Sequence, residues 1–103
     1  MDSLGKDEYL FREKPGHLIR GMIHKEHFRL LVEVSNIRSA KVIYALEGYL
    51  VNGMTIKNVC DNYGVATSYF NTALRRMQEI SYCIACMVQY YSQKINCLKT
   101  TDL

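Results

Sequence analysis

The chain has 103 residues, of which 49% are hydrophobic and 22% charged, and its formal net charge is +3. This length allows one domain with a core of modest size, and the composition argues against wholesale disorder. The longest apolar run, Tyr82 to Val88, is shorter than the roughly 18 residues of a membrane span, so no membrane contact is expected. The first residues are polar and acidic, which predicts no secretory signal and hence a location in the cytoplasm.

The first half of the chain predicts an arm followed by two helices. Residues 1–21 are polar, contain glycine and proline and show no sustained period, so they predict a flexible arm. From His24 onward, apolar residues recur with helical spacing and predict a first helix. Ser39 is a suitable N-cap for a second helix, and Asn52-Gly53 supplies a left-handed stop after it.

The second half of the chain predicts a short helix and a long one. Thr55 can cap the short helix, and Gly64 ends it. The long helix, over residues 68–94, would measure about 40 Å and exceed what a globule of this size can cover. It is expected either to break near Ser81 or to pack its second half on a partner chain. Residues 96–103 are expected to form a flexible tail.

The predicted fold class is all-α, because no segment shows the sustained alternation of a β-strand. We expect one small helical domain over residues 22–95, with a helix-turn-helix and a long C-terminal amphipathic helix. Residues 17–53 and 54–103 each carry five Lys/Arg and three Asp/Glu. This mild positive excess permits binding to a polyanion without requiring it.

The cysteines and histidines give little support for a metal or redox site. Cys83 and Cys86 have C-x-x-C spacing, but no second pair follows at zinc-finger spacing, and the helical pattern favours packing. His24 and His27 form an H-x-x-H without further ligands nearby, which favours surface or capping roles. No catalytic constellation or glycine-rich phosphate loop is visible. We therefore expect no metal, no cofactor and no enzymatic activity, with a thiol switch on the two cysteines as an alternative.

Residues 55–75 have the layout of a helix-turn-helix. Cys60 supplies the small side chain that is needed where the two helices cross. Gly64 takes the sharp turn, where a positive φ angle is cheap only without a Cβ atom. Val65 fills the gap beneath the turn, and Thr67 is a natural N-cap for the second helix, whose amide-rich end meets DNA in this motif.

The helical period turns hydroxyl, amide and guanidinium side chains of that second helix outward. Such groups bond base edges and phosphates, and Lys57 in the preceding helix can reach the DNA backbone. The sequence has no acidic residue between Asp61 and Glu79, as a surface that approaches phosphate requires. The candidate DNA-binding residues are Lys57, Cys60, Thr67, Ser68, Asn71, Thr72, Arg75 and Arg76.

An apolar stripe with 4,3,4,3 spacing runs from Phe70 to Ile95, farther than a core of this size extends. We expect its second half, together with the first helix, to form contacts between copies of the chain in a homodimer or a higher oligomer. The candidate oligomerisation residues are Phe28, Ile84, Val88 and Tyr91. Two alternatives stay open: the stripe is core alone, or the protein is a helical interaction adaptor without nucleic-acid binding.

Five motifs follow each other in order over residues 22–91. They are His27-Phe28-x-Leu30-Leu31, Val42-Ile43-x-Ala45-Leu46-x-x-Tyr49-Leu50-Val51-x-Gly53, Val59-Cys60-x-x-Tyr63, Tyr69-Phe70-x-x-x-Leu74-x-Arg76 and Tyr90-Tyr91. This run resembles the PapB family, which comprises adhesin (fimbrial) biosynthesis transcription regulators of enteric bacteria.

The resemblance implies a cytoplasmic, all-helical DNA-binding regulator of an adhesin operon. It also implies oligomerisation along repeated AT-rich sites, partial recognition of the minor groove, and a role for Cys60 within the DNA-binding helix pair. The spacing argument, by contrast, places the second helix in the major groove. Entry of Arg75 or Arg76 into a narrow AT-rich minor groove would reconcile the two.

Overall fold

The computed structural model describes residue 12 and residues 14–102, with side chains described through residue 92. Within this range the chain forms four α-helices and no strand, which confirms the all-α class. The helices are α1 (Lys25–Ser35), α2 (Ala40–Leu50), α3 (Ile56–Tyr63) and α4 (Thr67–Asp102). None of the helices in the described part is long and apolar enough to cross a membrane.

Short polar side chains define where the first three helices begin. His24, Ser39 and Thr55 precede α1, α2 and α3, and each accepts a hydrogen bond from a backbone N–H two or three residues ahead. These bonds satisfy amide groups that have no partner within the helix. The predicted caps at Ser39 and Thr55 are confirmed, and His24 has a capping role.

The core lies where α4 packs against each of the other three helices. At its centre the rings of Tyr49 and Phe70 meet edge to face, with centroids 5.8 Å apart. The buried apolar residues are Leu18, Phe28, Leu31, Val42, Ala45, Leu46, Tyr49, Leu50, Ile56, Val59, Cys60, Val65, Phe70, Ala73, Leu74 and Met77.

Helix α4 continues far beyond this core without a break. It has 36 residues and ends at Asp102. Of the two alternatives expected for this helix, the break near Ser81 therefore does not occur, and most of the predicted flexible tail is helical. At 1.5 Å per residue the helix is about 54 Å long. The molecule correspondingly measures 55 × 25 × 20 Å along its principal axes.

The segment that precedes α1 is attached to α4 by polar side chains. Leu18 is only 1% exposed, and its backbone N–H and C=O both bond the side-chain amide of Gln78, each at 2.9 Å. The Ser81 hydroxyl donates to the Gly16 carbonyl at 2.6 Å. The backbone N–H of Gly21 bonds the end of α2 at 3.0 Å.

The structure therefore differs from the predicted flexible arm over residues 16–21, which pack against the core. The physical reason is that Leu18 buries an apolar side chain while Gln78 satisfies the peptide groups buried with it. The earlier part of the predicted arm, residues 1–11 and 13, lies outside the described residues.

We expect Gln78→Ala to lower the free energy of unfolding by about 2–3 kcal/mol, because two buried backbone groups of Leu18 lose their partner. Urea denaturation followed by circular dichroism measures this loss. Glu79→Ala, a change at the next and exposed position, is the matched control and should shift stability by no more than about 0.5 kcal/mol. Equal losses for both variants would contradict the proposed attachment.

Candidate nucleic-acid interface

Helices α3 and α4 are joined by a three-residue turn at Gly64, Val65 and Ala66. Gly64 adopts a φ of 67°, and its N–H and that of Val65 both bond the Cys60 carbonyl. Val65 is buried beneath the turn, as the sequence predicted. The Ala66 carbonyl accepts the first bond of α4, from Phe70. Thr67 is therefore the first helical residue and not the N-cap that the sequence predicted.

The first turns of α4 present a polar face to solvent. Ser68, Thr72 and Arg75 are exposed and Asn71 is half-buried. Of the other side chains in these turns, Phe70, Ala73 and Leu74 are buried, whereas Tyr69 is exposed. The Thr72 hydroxyl donates to the Ser68 carbonyl at 3.0 Å, which leaves its oxygen lone pairs available to a donor. This outward face agrees with the helical period.

The cations near this face differ in how they are held. Arg76 donates from Nε to the Ser35 carbonyl at 3.2 Å and so ties α4 to the end of α1. Neither Arg75 nor Arg76 forms an ion pair with a carboxylate in the part of the chain that the structure describes. Lys57, by contrast, pairs with Asp61 at 3.1 Å. Because both members of that pair are exposed, the pair holds Lys57 only weakly.

Cys60 is among the predicted DNA-binding residues, but the structure places it in the core and not on the surface. Its side chain is 6% exposed and lies in the core beneath the turn, where a thiol packs as a small apolar group. Burial raises the pKa of this thiol, with a smaller opposing effect from a hydrogen bond to the Thr67 side chain. Cys60 thus belongs to the core packing between α3 and the start of α4.

The predicted oligomerisation residues separate into two groups. Phe28 is 4% exposed in the core, so its assignment to a contact between copies is wrong; α4 and its neighbours already cover that face of α1. Ile84 is half-buried against the core. Val88 and Tyr91, farther along α4, are 50% and 61% exposed. The side chain of Ile95 lies outside the described residues.

The structure also brings together residues that the sequence analysis did not connect. The loop between α1 and α2 faces the first turns of α4 across a groove of about 250 Å³, named here the loop groove. It is lined by Asn36, Ile37, Arg38, Ser39, Val42, Tyr69, Thr72, Ala73 and Arg76. Only the break between the first two helices was visible in the sequence, since the two walls lie at least 27 positions apart, from Val42 to Tyr69.

The described residues offer no metal site, since no group of three or more His, Cys, Asp or Glu side chains among them could hold an ion. Cys83 and Cys86 are exposed free thiols on α4, so the helical placement expected for them holds and both thiols face solvent.

These features define a small all-α protein with a glycine turn between two packed helices and a cationic, hydroxyl-bearing face. The family described as adhesin biosynthesis transcription regulatory protein, PapB, matches residues 1–91. The chain belongs to this family, as the resemblance indicated. The match also includes the segment before residue 22, where no resemblance was noted, and the family's description is regulatory, not catalytic.

Individual relatives agree with this assignment. Regulatory protein FanB of Escherichia coli is 40% identical over 81 residues, which are 79% of this chain and 82% of the relative. The major pilus subunit operon regulatory protein PapB of Escherichia coli is 34% identical over 86 residues, 84% of this chain and 83% of the relative. The crystal structure of Escherichia coli FocB is similar, with a TM-score of 0.71 and 35% identity over 82% of this chain and 94% of that one.

The raised pKa of Cys60 predicts a pH effect on stability. The pKa of the Cys60 thiol is higher in the folded state than in the unfolded state, so folding favours the protonated thiol. Its contribution to the free energy of unfolding is complete below the unfolded-state pKa of about 8.5 and is lost as pH rises through the folded-state pKa. Urea unfolding from pH 8 to 10 should show a steeper loss of the free energy of unfolding for the natural protein than for Cys60→Ala.

Iodoacetamide at pH 8 should modify Cys83 and Cys86 in the folded state and spare Cys60. Rapid folded-state modification of Cys60 would contradict its burial.

Proposed function

We propose that this chain is a DNA-binding transcription regulator of an adhesin or fimbrial operon, which oligomerises on AT-rich double-stranded DNA in the cytoplasm. The observation that carries the proposal is the exposed face of α4, where Ser68, Thr72 and Arg75 lie together and where the first acidic residue is Glu79, one turn beyond Arg75. Hydroxyl and guanidinium groups are the donors and acceptors that contact phosphates and base edges.

The names of the relatives support the proposed regulation of an adhesin or fimbrial operon. One relative is named as the regulatory protein of a major pilus subunit operon, and the family description refers to adhesin biosynthesis. We extend this regulatory role to this chain, and occupancy of DNA is compatible with both activation and repression.

Preference for AT-rich DNA would follow from the exposed arginines. A-tracts have a narrow minor groove with enhanced negative potential, which attracts an inserted guanidinium. Arg75 is exposed and has no ion pair with a described carboxylate, so it is the first candidate for this contact. Ser68, Asn71 and Thr72 precede it on the same helix and would contact adjacent backbone or base edges.

Self-association would use the part of α4 that extends beyond the core. Met87, Val88, Tyr90 and Tyr91 are large, apolar or aromatic, and exposed within two turns of one helix. Such a concentration of exposed apolar surface is typical of an interaction site. A second copy suits the proposal because one module with few cations binds an isolated DNA site weakly, whereas linked modules bind together.

We expect the protein to bind an AT-rich duplex more tightly than a GC-rich one, with an affinity that falls log-linearly with salt. Fluorescence anisotropy across a salt series measures both properties. Arg75→Ala should weaken binding about tenfold and leave the melting temperature nearly unchanged, because the side chain is exposed.

Arg29→Ala is the matched control for this experiment. It removes the same charge from α1, where Arg29 already pairs with Glu26 at 2.6 Å and with Glu33 at 3.7 Å. It should retain the affinity of the natural protein. Flat anisotropy on both duplexes at low salt would reject DNA binding and favour an interaction adaptor.

Val88→Glu should shift the protein to smaller species in sedimentation velocity, since it places a charge in the proposed contact between copies. Met22→Glu, which introduces the same charge at an exposed apolar side chain outside α4, serves as the control and should leave the mass unchanged. An unchanged mass for Val88→Glu would reject this part of α4 as the self-association surface.

A further inference from the structure

We infer that the loop between α1 and α2 is a second DNA contact, in which Arg38 and Arg76 hold one backbone phosphate in the loop groove. The inference rests on the proposed DNA binding and adds a site to it. It joins Arg76 of α4 to Arg38 on the opposite wall of the groove, in a loop that lies outside the predicted helix-turn-helix.

The loop groove is continuous with the face of α4 that we propose to bind DNA. Thr72 and Arg76 belong to that face and also line the groove, while Arg38 and Ser39 form the facing wall. A duplex lying along the first turns of α4 would therefore place part of its backbone over the groove opening. Phosphate contacts of this kind position a protein on DNA without reading its sequence.

The two guanidinium groups that line the groove are held by neutral acceptors. Arg38 donates to the Asn36 side-chain oxygen at 3.1 Å, and Arg76 donates to the Ser35 carbonyl at 3.2 Å. Neither pairs with a carboxylate among the described residues. Each keeps its full charge and further N–H donors, which is the state that bidentate binding of a phosphate requires.

The carboxylate on the other side of the loop does not pair with Arg38. Glu33 and Arg38 line a neighbouring hollow, but the only described ion pair of the exposed Glu33 carboxylate is a weak one with Arg29 at 3.7 Å. Two like charges on the walls of one small groove repel each other, and an anion bound between them relieves this repulsion. The charge distribution thus favours an anion in the groove over a cation or an apolar group.

The loop is also held in place before any ligand arrives. The Ser35 hydroxyl donates to the Val32 carbonyl at 2.8 Å and accepts from the Ile37 N–H at 3.1 Å. Asn36 adopts a φ of 64°, which reverses the chain and orients the side chain that holds Arg38. A loop that is already ordered loses little entropy on binding, so its contact adds to affinity.

The test compares Arg38→Gln with Arg20→Gln by anisotropy on the AT-rich duplex from 0.1 to 1 M monovalent salt. Arg20 is exposed and adjoins Gly21, whose N–H bonds Tyr49 at the far end of α2, so the control removes the same charge at a distant place. One lost phosphate contact lowers the salt slope by about 0.9 and weakens binding about eightfold at 0.1 M, with little difference at 1 M. Arg20→Gln should leave both quantities unchanged.

A further variant separates charge from loop structure. Arg38→Lys keeps the charge and should keep most of the salt slope, whereas Arg38→Gln should not, and all variants should melt at the same temperature. Equal weakening by Arg38→Gln at every salt concentration, or the same loss for Arg20→Gln, would overturn the inference. An unchanged slope for Arg38→Gln, with binding still weakened by Arg75→Ala, would overturn it and leave the proposed function intact. No binding by the natural protein would overturn both.

Discussion

The rotational setting of α4 in the core is the constraint on which the rest of the structure depends. Phe70 and Met77 are fully buried two turns apart, and this fixes the opposite side of the helix toward solvent. If α4 were shifted by one residue against the core, Asn71 and Arg75 would point into it. Burial of an amide and a guanidinium without hydrogen-bond partners is costly in free energy. The proposed DNA face is therefore a consequence of core packing. Beyond the core the same helix simply continues, so its exposed apolar side chains stay in a defined orientation.

Much of the architecture was predictable because its determinants are local. Ser39 and Thr55 cap their helices by bonding amides three residues ahead, and Gly64 ends α3 through a backbone angle that glycine adopts easily. The outward direction of Thr72 and Arg75 followed from the apolar period alone, since a helix with one buried face leaves the other exposed. In each case the residue and its partner lie within one or two turns.

The structure differs from the predictions where a residue contacts a partner that is distant in the chain. Leu18 and Gln78 are sixty positions apart, so no local pattern connected them, and a polar segment with glycines resembled a free arm. Ser81 looked like a gap in an apolar stripe because its acceptor, the Gly16 carbonyl, belongs to that same segment. Phe28 was assigned to a contact between copies because a period identifies an apolar face without identifying what covers it.

The side-chain amide of Gln78 bonds Leu18 as a residue of a neighbouring β-strand would, with one donor and one acceptor for a single peptide unit. This requirement for one donor and one acceptor restricts which residue can occupy position 78 more than the volume of the side chain does. An ionised glutamate lacks the donor, lysine and arginine lack the acceptor, leucine and methionine lack both, and asparagine is one methylene shorter. Apolar neighbours in the core accept exchanges that conserve volume. None of these exchanges at position 78 keeps both bonds to Leu18, so each would leave a buried peptide group without its partner.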